Sequence, residues 1–364
     1  MTSQSQGFLP DVEIRVNTVP IGVIGAGMIV SEVQLAAYQE AGFPVAAIAS
    51  RTPAHAAEVA ERYKILTVHE TPKDLIDDPQ IEILDIAYPP DLQPELIRYA
   101  LTKPHIKGIL AQKPLALTLD DAVALRDEAH AAGKLLSVNQ NMRYDQSIRV
   151  LKQILDRGEL GEPILASIDM RAIPHWQSFL EDYDRLTLSN MSVHHLDALR
   201  HLFGEPDEIY TAARTDPRTQ FAHQDGIVVS TLRFPTGLLA VSMEDVWAGP
   251  RDEDFDSEFY IRWRVEGTRG VAQGTIGWPN GKPSTLEYAS QDTTEGKWVR
   301  PTWNTHWFPH AFIGVMEQLQ YAVATNTTPV LTVDDNVRTI ALVEAGYRSI
   351  DENRPVKLSE VPIA

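Results

Sequence analysis

The chain has 364 residues, 43% of them apolar and 23% charged, enough for two ordinary domains each with its own core. Its 50 acidic and 32 basic residues give a net charge of −18, which argues against nucleic acid or an anionic membrane surface as a partner. The absence of cysteine excludes disulfides, thiolate nucleophiles and Cys-ligated zinc.

Residues 1–18 read as a loose leader, without the basic and apolar regions of a signal peptide, and no run of about 18 apolar residues follows. A cytoplasmic protein is the expectation. From Val19 the pattern alternates. Short, nearly continuous apolar runs at Pro20–Ile24, Val45–Ala49, Ile83–Ala87, Ile106–Leu110 and Leu135–Val138 suit strands buried on both faces. Helical patterns lie between them, at Ser31–Ala41, Thr52–Tyr63, Asp91–Leu101 and Thr118–Ala132, the last stopped by Gly133. This alternation predicts a doubly wound α/β domain over 1–143. Past Arg143 the pattern changes. A helix at Gln146–Asp156 is followed by longer strands at Ile164–Ile173, Glu208–Arg214, Gly226–Phe234, Leu238–Val246, Phe259–Gly267 and Thr285–Ala289, with a closing helix at Asp335–Ile350. Phe259, Ile261, Trp263 and Val265 alternate with polar residues, which predicts a mainly antiparallel, open-faced sheet in an α+β domain over 144–364.

Two glycines, Gly25 and Gly27, stand between the first strand and the first helix. They allow a tight turn and let backbone N–H groups approach a pyrophosphate at the helix N-terminus. The third position of the G-x-G-x-x-G pattern is Val30, expected to push the helix slightly from the strand. Alone, the pattern also fits a glycine turn in any α/β domain. The second strand ends Ala49-Ser50-Arg51-Thr52, with no acidic residue for a ribose 2′-OH. Ser50 and Arg51 could hold a 2′-phosphate, so NADP is favoured over NAD, with a merely solvated Arg51 as the alternative.

Three further segments, Ala111-Gln112-Lys113-Pro114-Leu115, Asn190-Met191-Ser192-Val193-His194-His195-Leu196-Asp197, and Asp334-Asp335-Asn336 through Ser349, complete a pattern. With the glycine turn they resemble the Gfo/Idh/MocA family: its Glu-Lys-Pro signature, its D-x-G-x-H-x-x-D helix and its closing helix. The resemblance covers nearly everything past Val19. It implies an N-terminal Rossmann domain and a C-terminal substrate and oligomerisation domain. It implies an NAD(P)-dependent oxidoreductase acting on a sugar, cyclic polyol or sugar derivative, assembled as a homodimer or homotetramer. The cofactor contacts implied are Gly25, Gly27, Met28, Ile29, Ser50, Arg51, Tyr88, Pro89, Gln112, Lys113 and Asn141. Two positions depart from the pattern: Gln112 stands for the usual Glu and Asn190 for the usual Asp.

Chemistry points to the same groups. Oxidising an alcohol takes a base for the hydroxyl proton and a cation to steady the developing alkoxide. Lys113 follows a strand's C-terminal end, where open α/β sheets bind ligands, and burial there would depress its pKa. His194 can exchange a proton near neutral pH, and on a helix it shares a face with Asn190, Asp197 and His201. His194 is therefore the expected proton carrier, with Lys113 polarising the oxygen; His195 is expected to be packed. The resemblance implies that 139–144 borders the cleft, so the candidate substrate contacts are Lys113, Asn141, Arg143, Arg171, His175, Trp176, Asn190, His194 and Trp307, with an interdomain salt bridge as the other reading of Arg143. No metal is expected, since the histidines match no zinc signature. A lyase, epimerase or glycosidase that returns the hydride, and a non-catalytic dinucleotide-binding regulator, remain as alternatives.

Overall fold

Six short strands, Ile21–Ile24 (β1), Val45–Ala49 (β2), Thr67–Val68 (β3), Ile83–Ile86 (β4), Gly108–Ala111 (β5) and Leu135–Val138 (β6), form one parallel sheet in the order β3-β2-β1-β4-β5-β6. β1, β4 and β5 are buried throughout, which is why they read as unbroken apolar runs. The structure is a computed structural model that describes residues 7–172, 178–185, 187–219, 221–245, 259–277 and 282–363.

The connections are helical: Leu35–Ala41 (α1), Pro53–Tyr63 (α2), Pro72–Ile76 (α3), Gln93–Leu101 (α4) and Leu119–Ala132 (α5), with a π-helical segment, Ile29–Gln34, leading into α1. Thr118 accepts a hydrogen bond from the Asp121 N–H to start α5, and Gly133, at φ 64°, ends it. Val12–Asn141 and Pro309–Ile340, with the last two residues, make one compact unit. Met142–Phe308 and Ala341–Pro362, with the residues up to Asp11, make the other.

The second stretch of the parallel-sheet unit comes largely from two helices, α8 (Trp307–Thr325, irregular at Phe308) and α9 (Val333–Glu352). A Cβ on Gly108 would lie 2.8 Å from the Val323 side chain, so glycine there leaves room for α8 against β5. Val333, Val337 and Ile340 of α9 join the core of Ile24, Leu84, Ile109 and Val138. The sequence pattern leaves α8 unread because Ala311–Gln320 is buried on all sides and shows no polar face. The described end of the segment read as a leader is held in place. Glu317 pairs with Arg15, and the Gln320 amide bonds both the N–H and the C=O of Val19.

The other unit is built on Pro163–Arg171 (β7), Glu208–Arg214 (β8), Ile227–Arg233 (β9), Leu239–Asp245 (β10), Tyr260–Gly267 (β11), Gly270–Ile276 (β12), Thr285–Ser290 (β13) and Val356–Lys357 (β14). The order is β13-β12-β11-β7-β10-β9-β8-β14, antiparallel except for the β7–β10 pair. One face is buried. The other exposes Leu165, Tyr210, Val229 and Leu239. Two helices, α6 (Gln146–Asp156) and α7 (Val193–Phe203), belong to this unit, and Phe8 at its N-terminal edge is buried against Tyr288. No helix among the described residues is long and apolar enough to cross a membrane.

Candidate active site

In the parallel sheet the strand order reverses between β1 and β4, the place where open α/β sheets leave a crevice beyond the strands' carboxyl ends. Gly25 follows β1 with φ 125°, and a Cβ there would lie 2.6 Å from the Ala87 carbonyl that follows β4. Only glycine lets the two strand ends come so close. A Cβ on Gly27 would meet nothing within 4 Å, so this exposed turn has the open space that a pyrophosphate needs. Met28 is exposed beside it, Ile29 is half-buried and Val30 is fully buried. The helix starts here as a π turn, which is wider than an α turn.

Beyond β2, the Ser50 hydroxyl donates to the Thr52 carbonyl (2.8 Å) and accepts from the Thr52 N–H (3.1 Å), closing the turn. That exposes Arg51, whose guanidinium lies 5.9 Å from the centre of the Tyr88 ring beyond β4. Burial pushes the Tyr88 phenol up, against the opposing pull of Arg51 beside it. The Pro89 carbonyl accepts from the N–H groups of Leu92 and Gln93 and so begins α4.

Lys113 follows β5, and its peptide to Pro114 is cis. The residue is partly exposed, but its ammonium is desolvated, and burial brings it down to about 7. The backbone around it is fixed by Gln93. That buried side chain accepts from the Gln112 N–H (3.0 Å) and donates towards the carbonyls of Gln112 (2.9 Å), Pro114 (2.8 Å) and Leu115 (2.9 Å). A line of amides crosses to β6: Asn141 donates to Asn139 (3.2 Å), and Asn139 donates to the Gln112 side-chain oxygen (3.3 Å). The Gln112 Nε2 is buried, with no partner among the described residues. Nearer the middle of the sheet, buried Asp85 accepts from Gln34 and Tyr38, each at 2.7 Å, and burial raises its carboxyl to about 7.

The other unit carries its groups on a helix. Asn190 lies in a π-helical segment, Leu188–Ser192, that runs directly into α7. His194 and Asn190 are both buried, and the His194 ring meets Trp307 edge-on, with ring centres 6.4 Å apart. Leu196 and Leu199 bury the helix's apolar side. Arg143 makes a buried bidentate pair with Asp197, both contacts at 2.6 Å. The ring of His195 contacts Glu244 of β10 at 2.5 Å, both fully buried, with Ser242 donating to the same carboxylate.

The parallel sheet thus gathers Gly25, Gly27, Met28, Ile29, Ser50, Arg51, Tyr88, Pro89, Gln112, Lys113 and Asn141 along the carboxyl ends of its strands. The other unit gathers Arg143, Asn190, His194 and Trp307 on and beside α7. Arg171 is not with them: it pairs with Asp169 on the more exposed face of β7, while Ser242 and Glu244, which touch α7, lie on the buried face of β10. His175 and Trp176 lie outside the described residues. Gln93, Asp85 and Glu244 are absent from the sequence expectations. Each is a single polar residue in an apolar or helix-start context, and only its buried partners mark it. No three His, Asp or Glu side chains among the described residues stand close enough together to hold a metal ion.

Chemically, one unit offers a glycine cradle that fits a dinucleotide and a lysine poised between charged and neutral, and the other offers a histidine beside an amide and an indole. The sequence matches the oxidoreductase family with an NAD-binding Rossmann fold over residues 19–140, and the GFO/IDH/MocA C-terminal domain over residues 148–273. A D-apiose dehydrogenase from Rhizobium rhizogenes is 25% identical over 325 residues, covering 87% of this chain and 91% of that protein. Myo-inositol 2-dehydrogenase from Thermotoga maritima is 24% identical over 313 residues, covering 84% and 88%. Among solved structures, levoglucosan dehydrogenase in complex with NADH and levoglucosan superposes with a TM-score of 0.80 at 20% identity, over 95% of this chain and all of that one (100%). Both family domains follow one another in a single chain and together span most of it, so the chain belongs to the GFO/IDH/MocA family of oxidoreductases.

Proposed function

We propose that the protein is an NAD(P)-dependent dehydrogenase that interconverts a CH–OH group and a carbonyl on a sugar or cyclic polyol. The observation that carries this reading is Lys113, a desolvated lysine held at the carboxyl end of a strand in a dinucleotide-type sheet. Three relatives named for apiose, inositol and levoglucosan support the substrate class.

A bound nicotinamide supplies the site for the hydride. The chain's own work is to hold and protonate the oxygen. In oxidation the hydroxyl proton passes to the His194 ring, and protonated Lys113 steadies the oxygen as negative charge develops on it. Asn190 and Asn141 orient hydroxyl groups as donors and acceptors, and the Trp307 ring offers an apolar face to C–H groups. Arg51, exposed over Tyr88 with no carboxylate at positions 49–52, favours NADP. The exposed sheet face with Leu165, Val229 and Leu239 suits a second copy of the chain, and a single monomeric species in sedimentation at micromolar concentration would refute that pairing.

The test is absorbance at 340 nm with NAD and with NADP against polyols, aldoses and sugar acids. Reduction of a cofactor by at least one of them is expected, cut by about 100-fold or more in Lys113→Ala and in His194→Ala. Arg51→Ala should weaken NADP about tenfold and leave NAD unchanged. Silence across the panel, with cofactor binding intact by fluorescence, would overturn the reading.

A further inference from the structure

The turn from β5 into α5 has a bonding problem. Its residues have left the sheet ladder and not yet entered the helix, so their buried carbonyls need donors from elsewhere. Pro114 cannot help, since it has no N–H. Gln93 supplies the donors for three of these carbonyls. It is fully buried at the first position of α4, where its own N–H is tied to the Pro89 carbonyl at 3.0 Å and Pro94 follows. Its oxygen takes the Gln112 N–H, and its nitrogen is shared among the carbonyls of Gln112, Pro114 and Leu115. Four contacts from one planar amide therefore fall on both sides of Lys113.

We infer that Gln93 is the positioning residue of Lys113, an amide clamp that fixes the backbone on either side of that lysine. This rests on the catalytic reading of Lys113 given above. Two consequences go together. Without the clamp the three carbonyls must turn toward water, and the lysine moves with them; a displacement of about 1 Å is enough to cost roughly 100-fold in rate. A lysine that reaches water also regains its ordinary affinity for a proton.

The experiment is a mutant cycle in the full chain. Gln93→Met keeps the volume and removes every hydrogen bond. Gln93→His keeps one donor and one acceptor on a neutral ring. Gln93→Met is expected to lower kcat about 10–100-fold, to leave the cofactor Kd within about threefold, and to move the lysine's ionisation in the kcat/KM profile upward. Gln93→His should fall between it and wild type. In a Lys113→Ala background, adding Gln93→Met should cost less than about threefold more, because the residue it positions is gone. Undiminished kcat in Gln93→Met, or an equal further loss in the Lys113→Ala background, overturns the inference. Wild-type kcat in Lys113→Ala alone overturns the catalytic reading beneath it instead. If Gln93→Met loses cofactor binding and its circular dichroism, Gln93→His carries the cycle, with the same two outcomes deciding.

Discussion

The strand-end groups of the parallel sheet and the helix groups of the mixed sheet are held in place by opposite means. Around Lys113 the fixing bonds come from neutral amides, Gln93, Gln112, Asn139 and Asn141, acting on backbone or on each other. Around His194 the helix is fixed by a buried ion pair, Asp197 to Arg143, and by the His195 ring packed against the Glu244 carboxyl. Amides hold a group without altering its charge, and burial lowers the Lys113 ammonium's hold on its proton. Buried ion pairs also hold position, but each partner depends on the other to stay buried.

The largest effect is therefore expected where charge does the fixing. Asp197→Ala takes both carboxylate contacts from the buried Arg143 guanidinium and should cost about 3–5 kcal/mol of stability, whereas the paired change Arg143→Met with Asp197→Leu should cost far less. Urea unfolding of the three proteins measures both. A single mutant within about 1 kcal/mol of wild type would mean the pair is not what holds α7, and the contrast would fail.

Asp85 tests the neutral side of the contrast, because it is a carboxyl buried without a cation among its hydrogen-bond partners, Gln34 and Tyr38. Its folded pKa, about 7, lies above the unfolded value, so between about pH 4 and 7 the native state binds more protons than the unfolded chain. Stability from this group is thus full at low pH and is lost as pH rises toward about 7, by an amount of order a few kcal/mol. Asp85→Asn keeps an acceptor for both donors and carries no charge. It should flatten the fall in Tm between pH 5 and 8. An unchanged slope would show that Asp85 titrates as an ordinary carboxyl.

How much of this is legible in the sequence follows the same division. The parallel strands and the α5 boundaries are readable because burial on both faces and capping leave local marks: the run Ile83–Ile86, Thr118 at one end of α5, Gly133 at the other. β12 escapes because glycines at 270 and 274 dilute its alternation. α8 escapes because a helix buried on every side has no stripe to read. Lys113 and His194 stand out as residue types that chemistry demands. Gln93 does not, since a glutamine before a proline at a helix start looks like any solvated polar residue. Its role exists only once β5 and α4 have been brought together. Glu244 is hidden for the same reason, nearly fifty residues from the histidine it pairs with.

The smallest predicted effect is also the sharpest test of neutrality around the lysine. With Lys113 at about 7, its cationic fraction falls as pH rises through that value. If the cation steadies the substrate oxygen, kcat/KM for oxidation should decline on the alkaline side of about 7. Gln112→Glu puts a negative charge on the neighbouring residue while Asn139 can still donate to a side-chain oxygen there. An opposite charge favours the protonated amine, so the alkaline limb should move up by about one pH unit. Two outcomes would break the account in different ways. A limb that stays put means Gln112 does not set the lysine's field. A profile that rises through 7 in the wild type, and loses that rise in Lys113→Met, means the neutral amine is the working form. Lys113 would then be the base, and the proton assigned to His194 would belong to it.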